Sequence, residues 1–197
     1  MKNYLVIGNP IEHSLSPKLH NYWIKENNID AVYNKKQLNE NDIKDTVNEV
    51  MNGKIDGINV TVPFKKSVIP FLNELTPLAK EAQSVNTIYK KDGKVVGDNT
   101  DVDGFGHALK YIDYNVQGKK VFILGAGGVV SSIILALKKA GASEIVLSNR
   151  TKEKAENLKK IYSYLKVVDW GDISDSNMII NATSLGLKED DEIKLNY

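Results

Sequence analysis

Val121-Phe122-Ile123-Leu124-Gly125-Ala126-Gly127-Gly128-Val129 is the stretch that decides the fold. A short apolar run rich in strand formers meets a glycine turn, and an apolar helical pattern follows from about Val129 to Lys139. Strand, tight turn and helix in that order form one βα unit. Glycine permits the turn and lets backbone amides approach a pyrophosphate, while the helix N-terminus adds partial positive charge. The fingerprint G-x-G-x-x-G is imperfect, because its third glycine would fall at Val130. The uncharged run from Val121 to Leu137 lies between Lys120 and Lys138. It falls short of the ~18–20 residues a membrane helix needs, so no membrane span is expected.

Downstream, a strand over Glu144–Leu147 leads into Ser148-Asn149-Arg150-Thr151. An NAD site usually carries an acid there for the ribose 2′-hydroxyl. Arg150 offers instead a planar donor fork suited to a 2′-phosphate, and Lys154 adds charge one helical turn later. The pattern therefore reads as NADP rather than NAD. The plainer reading makes Thr151 a helix cap and Arg150 a solvated charge.

Strand and helix signals alternate along the rest of the chain, which predicts an α/β fold with a mainly parallel sheet. Tyr4–Gly8 reads as a buried strand. Ser16-Pro17 opens a helix to about Asn28, with Ser16 able to cap it. A strand over Ala31–Leu38 and a helix over Asp42–Met51 follow, the helix with Ile43, Val47, Val50 and Met51 on one face. Gly57–Pro63 is β-rich, and a helix is expected from about Phe64, interrupted near Thr76-Pro77. Val85–Tyr89 and Lys94–Gly97 read as a hairpin across Asp92-Gly93. Asp101–Asp113 reads as a helix, Lys152–Ile161 as another, with strands near Val167 and over Met178–Asn181. Two domains are expected: 1–101, and a Rossmann-like domain over 102–197 that stops in a polar stretch without a closing helix. The reading accordingly expects that second domain to be incomplete at its C-terminus.

Composition narrows the function. The 197 residues carry 26 Lys and Arg against 25 Asp and Glu, a net charge of +1, with no basic stripe. Nucleic-acid binding needs a clustered basic surplus, so no such partner is expected. The absence of Cys removes disulfides, thiolate metal sites and a Cys nucleophile, and His13, His20 and His107 lack ligand spacing, so no metal is expected. No targeting segment is visible at the start, and the composition suits the cytoplasm. The oligomeric state is not read from these residues, and a homodimer stays open.

Four further stretches hold polar residues that strand and helix patterning does not require. They are Gly8 to Pro17 (Gly-Asn-Pro-Ile-Glu-His-Ser-Leu-Ser-Pro), Asn59 to Lys65 (Asn-Val-Thr-Val-Pro-Phe-Lys), Val85-Asn86-Thr87 and Gly97-Asp98-Asn99-Thr100-Asp101. Each lies at or near a predicted strand end, where open α/β sheets gather ligand sites. With the turn at Gly125 and Asn149-Arg150-Thr151, the set closely resembles the shikimate dehydrogenase family, in the family's order over nearly the whole chain.

The resemblance implies reversible NADPH-dependent reduction of 3-dehydroshikimate to shikimate, a small-molecule step on the route to chorismate and the aromatic amino acids. It implies a substrate-binding, catalytic first domain and an NADP-binding second domain, with substrate held between them. By the same resemblance Ser14 and Ser16 bond the substrate carboxylate, while Thr61, Asn86 and Asp101 bond ring hydroxyls. By the resemblance Lys65 is the catalytic lysine and also touches substrate, and Asp101, close by, is the second catalytic residue, holding Lys65 charged and oriented. Gly125, Ala126, Gly127, Gly128, Val129, Asn149, Arg150, Thr151, Lys154 and Thr183 match cofactor positions. On the residues alone, Ser16 reads equally as a cap, Asp101 as a helix-capping acid and Lys65 as a surface lysine. His13 is expected to shape its loop.

The chemistry suits these residue types. Hydride arriving at a ketone leaves negative charge on oxygen, which a nearby proton donor must neutralise. Lys65 is either that proton shuttle or an electrostatic anchor. Val129-Val130-Ser131-Ser132 and Lys154 depart from the family pattern, Lys154 replacing a forked donor by a point charge. The family continues past Asn181-Ala182-Thr183-Ser184 with a substrate-touching tyrosine and glutamine and a terminal helix, none of which is in this sequence. If the natural protein stops at Tyr197, weak or no turnover is therefore expected. Other readings are a quinate or related cyclohexene-acid dehydrogenase, and a binding-only fragment without turnover.

Overall fold

The computed structural model describes residues 1–173, 175–186 and 191–192. The chain divides into two compact units, Met1–Thr100 and Asp101–Tyr197.

The first unit runs β1 (Lys2–Gly8), α1 (Ser16–Glu26), β2 (Ala31–Gln37), α2 (Ile43–Met51), β3 (Gly57–Val60), β4 (Glu74–Leu75), α3 (Pro77–Ala82), β5 (Thr87–Lys91) and β6 (Lys94–Asp98). Its sheet has the order β2-β1-β3-β5-β6-β4. β2, β1 and β3 are parallel, whereas β5 runs antiparallel to both β3 and β6. Alternation decides the two faces. Leu5, Ile7, Ile58, Val60 and Ile88 join Ile43, Val47 and Val50 of α2 in the main core. Val6 and Tyr33, on the opposite face, pack with Ile11 and Ile24. The β5–β6 turn is tight because Asp92 and Gly93 both adopt positive φ, at 50° and 76°.

Two local expectations are corrected. No helix starts at Phe64: residues 62–68 form successive turns and Ile69–Phe71 a single 3-10 turn. Pro70 lacks an amide donor, so a regular helix cannot hydrogen-bond through it, while Phe64 and Val68 are drawn into the core. The Thr76-Pro77 "interruption" is instead the start of α3, where Thr76 Oγ1 accepts from the Ala79 amide at 3.3 Å. Nor does Ser16 cap α1. Leu15 holds the cap position and Ser16 is the first helical residue. Ser14 Oγ accepts from the Ser16 amide at 3.4 Å.

The second unit runs α4 (Asp101–Tyr111), β7 (Lys120–Leu124), α5 (Val130–Lys139), β8 (Glu144–Ser148), α6 (Lys152–Ile161), β9 (Lys166–Val168) and β10 (Met178–Asn181). All four strands are parallel, in the order β10-β7-β8-β9. Chain order thus proceeds from β7 through β8 to β9 and then reverses to β10, a doubly wound arrangement with its switch point beside β7. Val130 to Leu137 of α5 are all buried. Val130 packs into the core where the fingerprint would have its third glycine. Among the described residues, no helix is long and apolar enough to cross a membrane, and no three His, Asp or Glu side chains gather as a metal site.

Candidate active site

In the first unit, backbone hydrogen bonds stitch the polar stretches together at one end of the sheet. The Thr61 amide donates to Ile7 O at 2.9 Å and the Asn9 amide to Val62 O at 3.0 Å. The Val60 amide donates to Asn86 O at 2.8 Å, the Val85 amide to Lys65 O at 2.8 Å and the Asn86 amide to Asp98 O at 3.0 Å. Thr61, Lys65 and Asn86 therefore sit on adjoining, mutually bonded segments. Half-buried Ser14 and Ser16 lie on the loop leaving β1 and at the start of α1.

Lys65 is no surface lysine, being only 9% exposed. Immobilisation of its backbone by Val85 gives the side chain a fixed root. The Asn86 side chain is also held: Nδ2 donates to Thr100 Oγ1 at 2.8 Å, and Oδ1 accepts from the Thr100 amide at 2.9 Å. Asp101 follows Thr100 directly and begins α4, half-buried. His13 is exposed on its loop.

Sequence reasoning did not find Tyr33 and Asn59. The Tyr33 hydroxyl donates to Asn59 Oδ1 at 2.6 Å, and Asn59 Nδ2 donates to Thr87 Oγ1 at 3.3 Å. Burial pushes the Tyr33 phenol up to about 12, with a hydrogen bond to the Ser16 side chain acting in the opposite direction. The network thus leads from Ser16 through Tyr33 and Asn59 to Thr87, whose hydroxyl donates to Asn86 Oδ1 at 3.1 Å. Asn59 was visible in the Asn59–Lys65 stretch. Tyr33, a strand aromatic, carried no local signal.

In the second unit, Gly125 follows β7 directly with φ 110°, and its amide donates to Ser148 O at 2.8 Å. A Cβ at Gly125 would stand 2.7 Å from Ala182 O, so the turn after β7 closes directly on the loop after β10. A Cβ at Gly127 would meet nothing nearer than 4.0 Å, which leaves its backbone open to a ligand. Gly128 and Val129 lead into α5, which Val129 precedes at the cap position.

A cavity of about 250 Å³ adjoins this turn. Ala126 and Gly127 line one part of it, and Asn149, Arg150, Thr151 and Lys154 another. Arg150 and Lys154 are exposed cations here. Thr151 occupies the cap position of α6 but its hydroxyl makes no cap hydrogen bond. Thr183 also lines the cavity, with its hydroxyl donating to Asn181 Oδ1 at 2.7 Å and accepting from the Leu185 amide at 3.0 Å. Trp170, Ser184 and Leu185 complete the lining and were not expected from the sequence. A larger cavity of about 590 Å³, bordered by α4 and α5, contains none of the candidate residues.

A parallel, doubly wound sheet with a glycine turn and a cationic pocket at its switch point defines the second unit as a dinucleotide-binding fold. Residues 6–88 match the family described as shikimate dehydrogenase substrate binding domain, and residues 107–186 match shikimate / quinate 5-dehydrogenase. A Pelagibacter ubique protein named shikimate dehydrogenase (NADP(+)) is 58% identical over 196 residues, covering 100% of this chain and 74% of that protein. The solved shikimate dehydrogenase of Aquifex aeolicus superposes with a TM-score of 0.89 at 40% identity, covering 100% of this chain and 74% of that one. The Thermus thermophilus enzyme, solved in complex with NADP(H) and shikimate, gives a TM-score of 0.85 at 30% identity, covering 95% and 70%. The chain belongs to the shikimate dehydrogenase family.

Proposed function

We propose that this protein catalyses the NADPH-dependent, reversible reduction of 3-dehydroshikimate to shikimate. The observation that carries the reading is the stitched cluster of Thr61, Lys65 and Asn86, with Lys65 almost buried, in a chain of this family. The first unit is the substrate-binding and catalytic domain, and the second binds NADP(H).

The nucleotide fits the residues present. The open approach at Gly127 admits a pyrophosphate to backbone amides. Gly125 to Val129 form the cradle, Asn149 and Thr151 border the ribose, and Arg150 with Lys154 take the 2′-phosphate. Thr183 shapes the opposite wall through its bonds to Asn181 and Leu185. Bound NADPH supplies a hydride to the ketone carbon.

Ser14 and Ser16 donate hydroxyl hydrogen bonds to the substrate carboxylate. Thr61, Asn86 and Asp101 bond the ring hydroxyls, so the ring is held in one orientation and the barrier falls through positioning. Lys65 Nζ donates a proton to the ketone oxygen as charge develops, and recovers it in the oxidative direction. The names carried by the relatives favour shikimate over quinate. A cytoplasmic location goes with this reading. The test is the initial rate of NADP⁺ reduction with shikimate or quinate. A clear kcat/KM advantage for shikimate is expected, and an advantage for quinate would overturn the substrate assignment.

A further inference from the structure

The lining of the nucleotide cavity includes one aromatic side chain among the described residues, Trp170, which no motif predicts. It lies two residues past the end of β9. Sheet order gives that place a meaning. The glycine turn follows β7, Arg150 and Lys154 follow β8, Trp170 follows β9, and Thr183 follows β10 on the other side of β7. A dinucleotide lying across the carboxyl edge puts its pyrophosphate at the β7 turn. The 2′-phosphorylated ribose then falls at β8. The next group outward is the purine, about one strand spacing (~4.8 Å) further on, at β9.

The indole is also rigidly backed. Trp170 packs with Val168 and Ile173 against buried Phe122, Leu124 and Val146. Its loop is pinned on two sides: Ser148 Oγ donates to Asp169 O at 2.9 Å, and Lys152 Nζ pairs with Asp169 Oδ1 at 2.6 Å. A half-buried indole seated on the core and bordering the cavity is a preformed stacking surface.

We propose that Trp170 is the platform on which the adenine ring of the nucleotide stacks. The inference rests on the NADP(H) reading of the same cavity, and its test separates the two. Trp23→Phe leaves Trp170 as the sole tryptophan, since the chain has only two. Titration of that variant with NADP⁺, and with 2′,5′-ADP, which has the adenine and the 2′-phosphate but no nicotinamide, should quench its emission. Trp170→Leu keeps apolar packing without a large π face and should lose about tenfold in affinity for both ligands, the scale of one base–aromatic stack. The loss should appear in its KM for NADP⁺, which should rise by about the same factor. Trp170→Phe should recover most of the affinity. Calorimetric binding of NADP⁺ without quenching, or wild-type affinity in Trp170→Leu, would overturn the platform and leave the NADP(H) reading standing. No binding of either ligand would overturn both.

Discussion

Gly125 and Gly127, two residues apart, allow fold and function to be separated by a single methyl group. At Gly125 the backbone φ of 110° lies in a region that side chains rarely adopt, and a Cβ would stand 2.7 Å from Ala182 O. That neighbour is backbone, and the Ala182 amide is itself bonded to Leu124 O at 2.8 Å, so it cannot yield cheaply. Strain of ~1–3 kcal/mol from the dihedral, plus displacement of a strand-end carbonyl, sets the cost of Gly125→Ala at ~2 kcal/mol or more. A domain of this size loses ~4–8 °C per kcal/mol, so its melting midpoint should fall by ~8 °C or more. At Gly127 the same methyl meets nothing closer than 4.0 Å and the φ is ordinary, so Gly127→Ala should melt like wild type. It should instead obstruct the approach of the pyrophosphate. Loss of one charged backbone hydrogen bond is worth ~1.5–3 kcal/mol, or roughly ten- to a hundredfold in NADP⁺ affinity. Thermal melts beside NADP⁺ titrations read the two effects. A Gly125→Ala protein as stable as wild type would refute the turn argument, and normal NADP⁺ affinity in Gly127→Ala would refute the close-approach argument.

Lys65→Met keeps the bulk of a nearly buried side chain and should fold normally while turnover falls by about 10²-fold or more; near-normal kcat would remove Lys65 from the chemistry. Arg150→Ala should weaken NADPH by ~1.5–3 kcal/mol and NADH far less, and equal losses would mean that Arg150 does not read the 2′-phosphate. Because burial raises the Tyr33 phenol from 10.0 to about 12, the folded state holds its proton where the unfolded state releases it. The resulting stability is full below pH 10 and is lost as pH rises towards 12, so Tyr33→Phe should show a shallower alkaline decline in urea-unfolding stability.

Legibility followed how local each determinant was. β7, the glycine turn and α5 were readable because the period change from strand to helix and the glycines lie within a few residues of one another. The hairpin was readable for the same reason, since Asp92-Gly93 supplies both positive φ values. The stretch after Phe64 misled because its apolar spacing suits a helix, while Pro70 and the pull of Phe64 and Val68 into the core favour turns. Ser16 was misplaced as a cap by one position, a difference that backbone dihedrals decide. Lys65 looked like a surface residue in isolation, and only the folding of Val85 against its carbonyl reveals its burial. Tyr33 and Trp170 reach their sites through strand pairing and sheet order, to which no short window of sequence refers.

The central claim is hydride transfer from NADPH to the ketone of 3-dehydroshikimate, and isotope transfer tests it most directly. The natural protein would be supplied with NADPH deuterated at the transferring position and with 3-dehydroshikimate, and the product examined by mass spectrometry. The account predicts shikimate carrying the deuterium on the former carbonyl carbon, with label transfer strongly reduced by Lys65→Met. Unlabelled product, or no product from the natural protein while NADP⁺ binding persists, would contradict it.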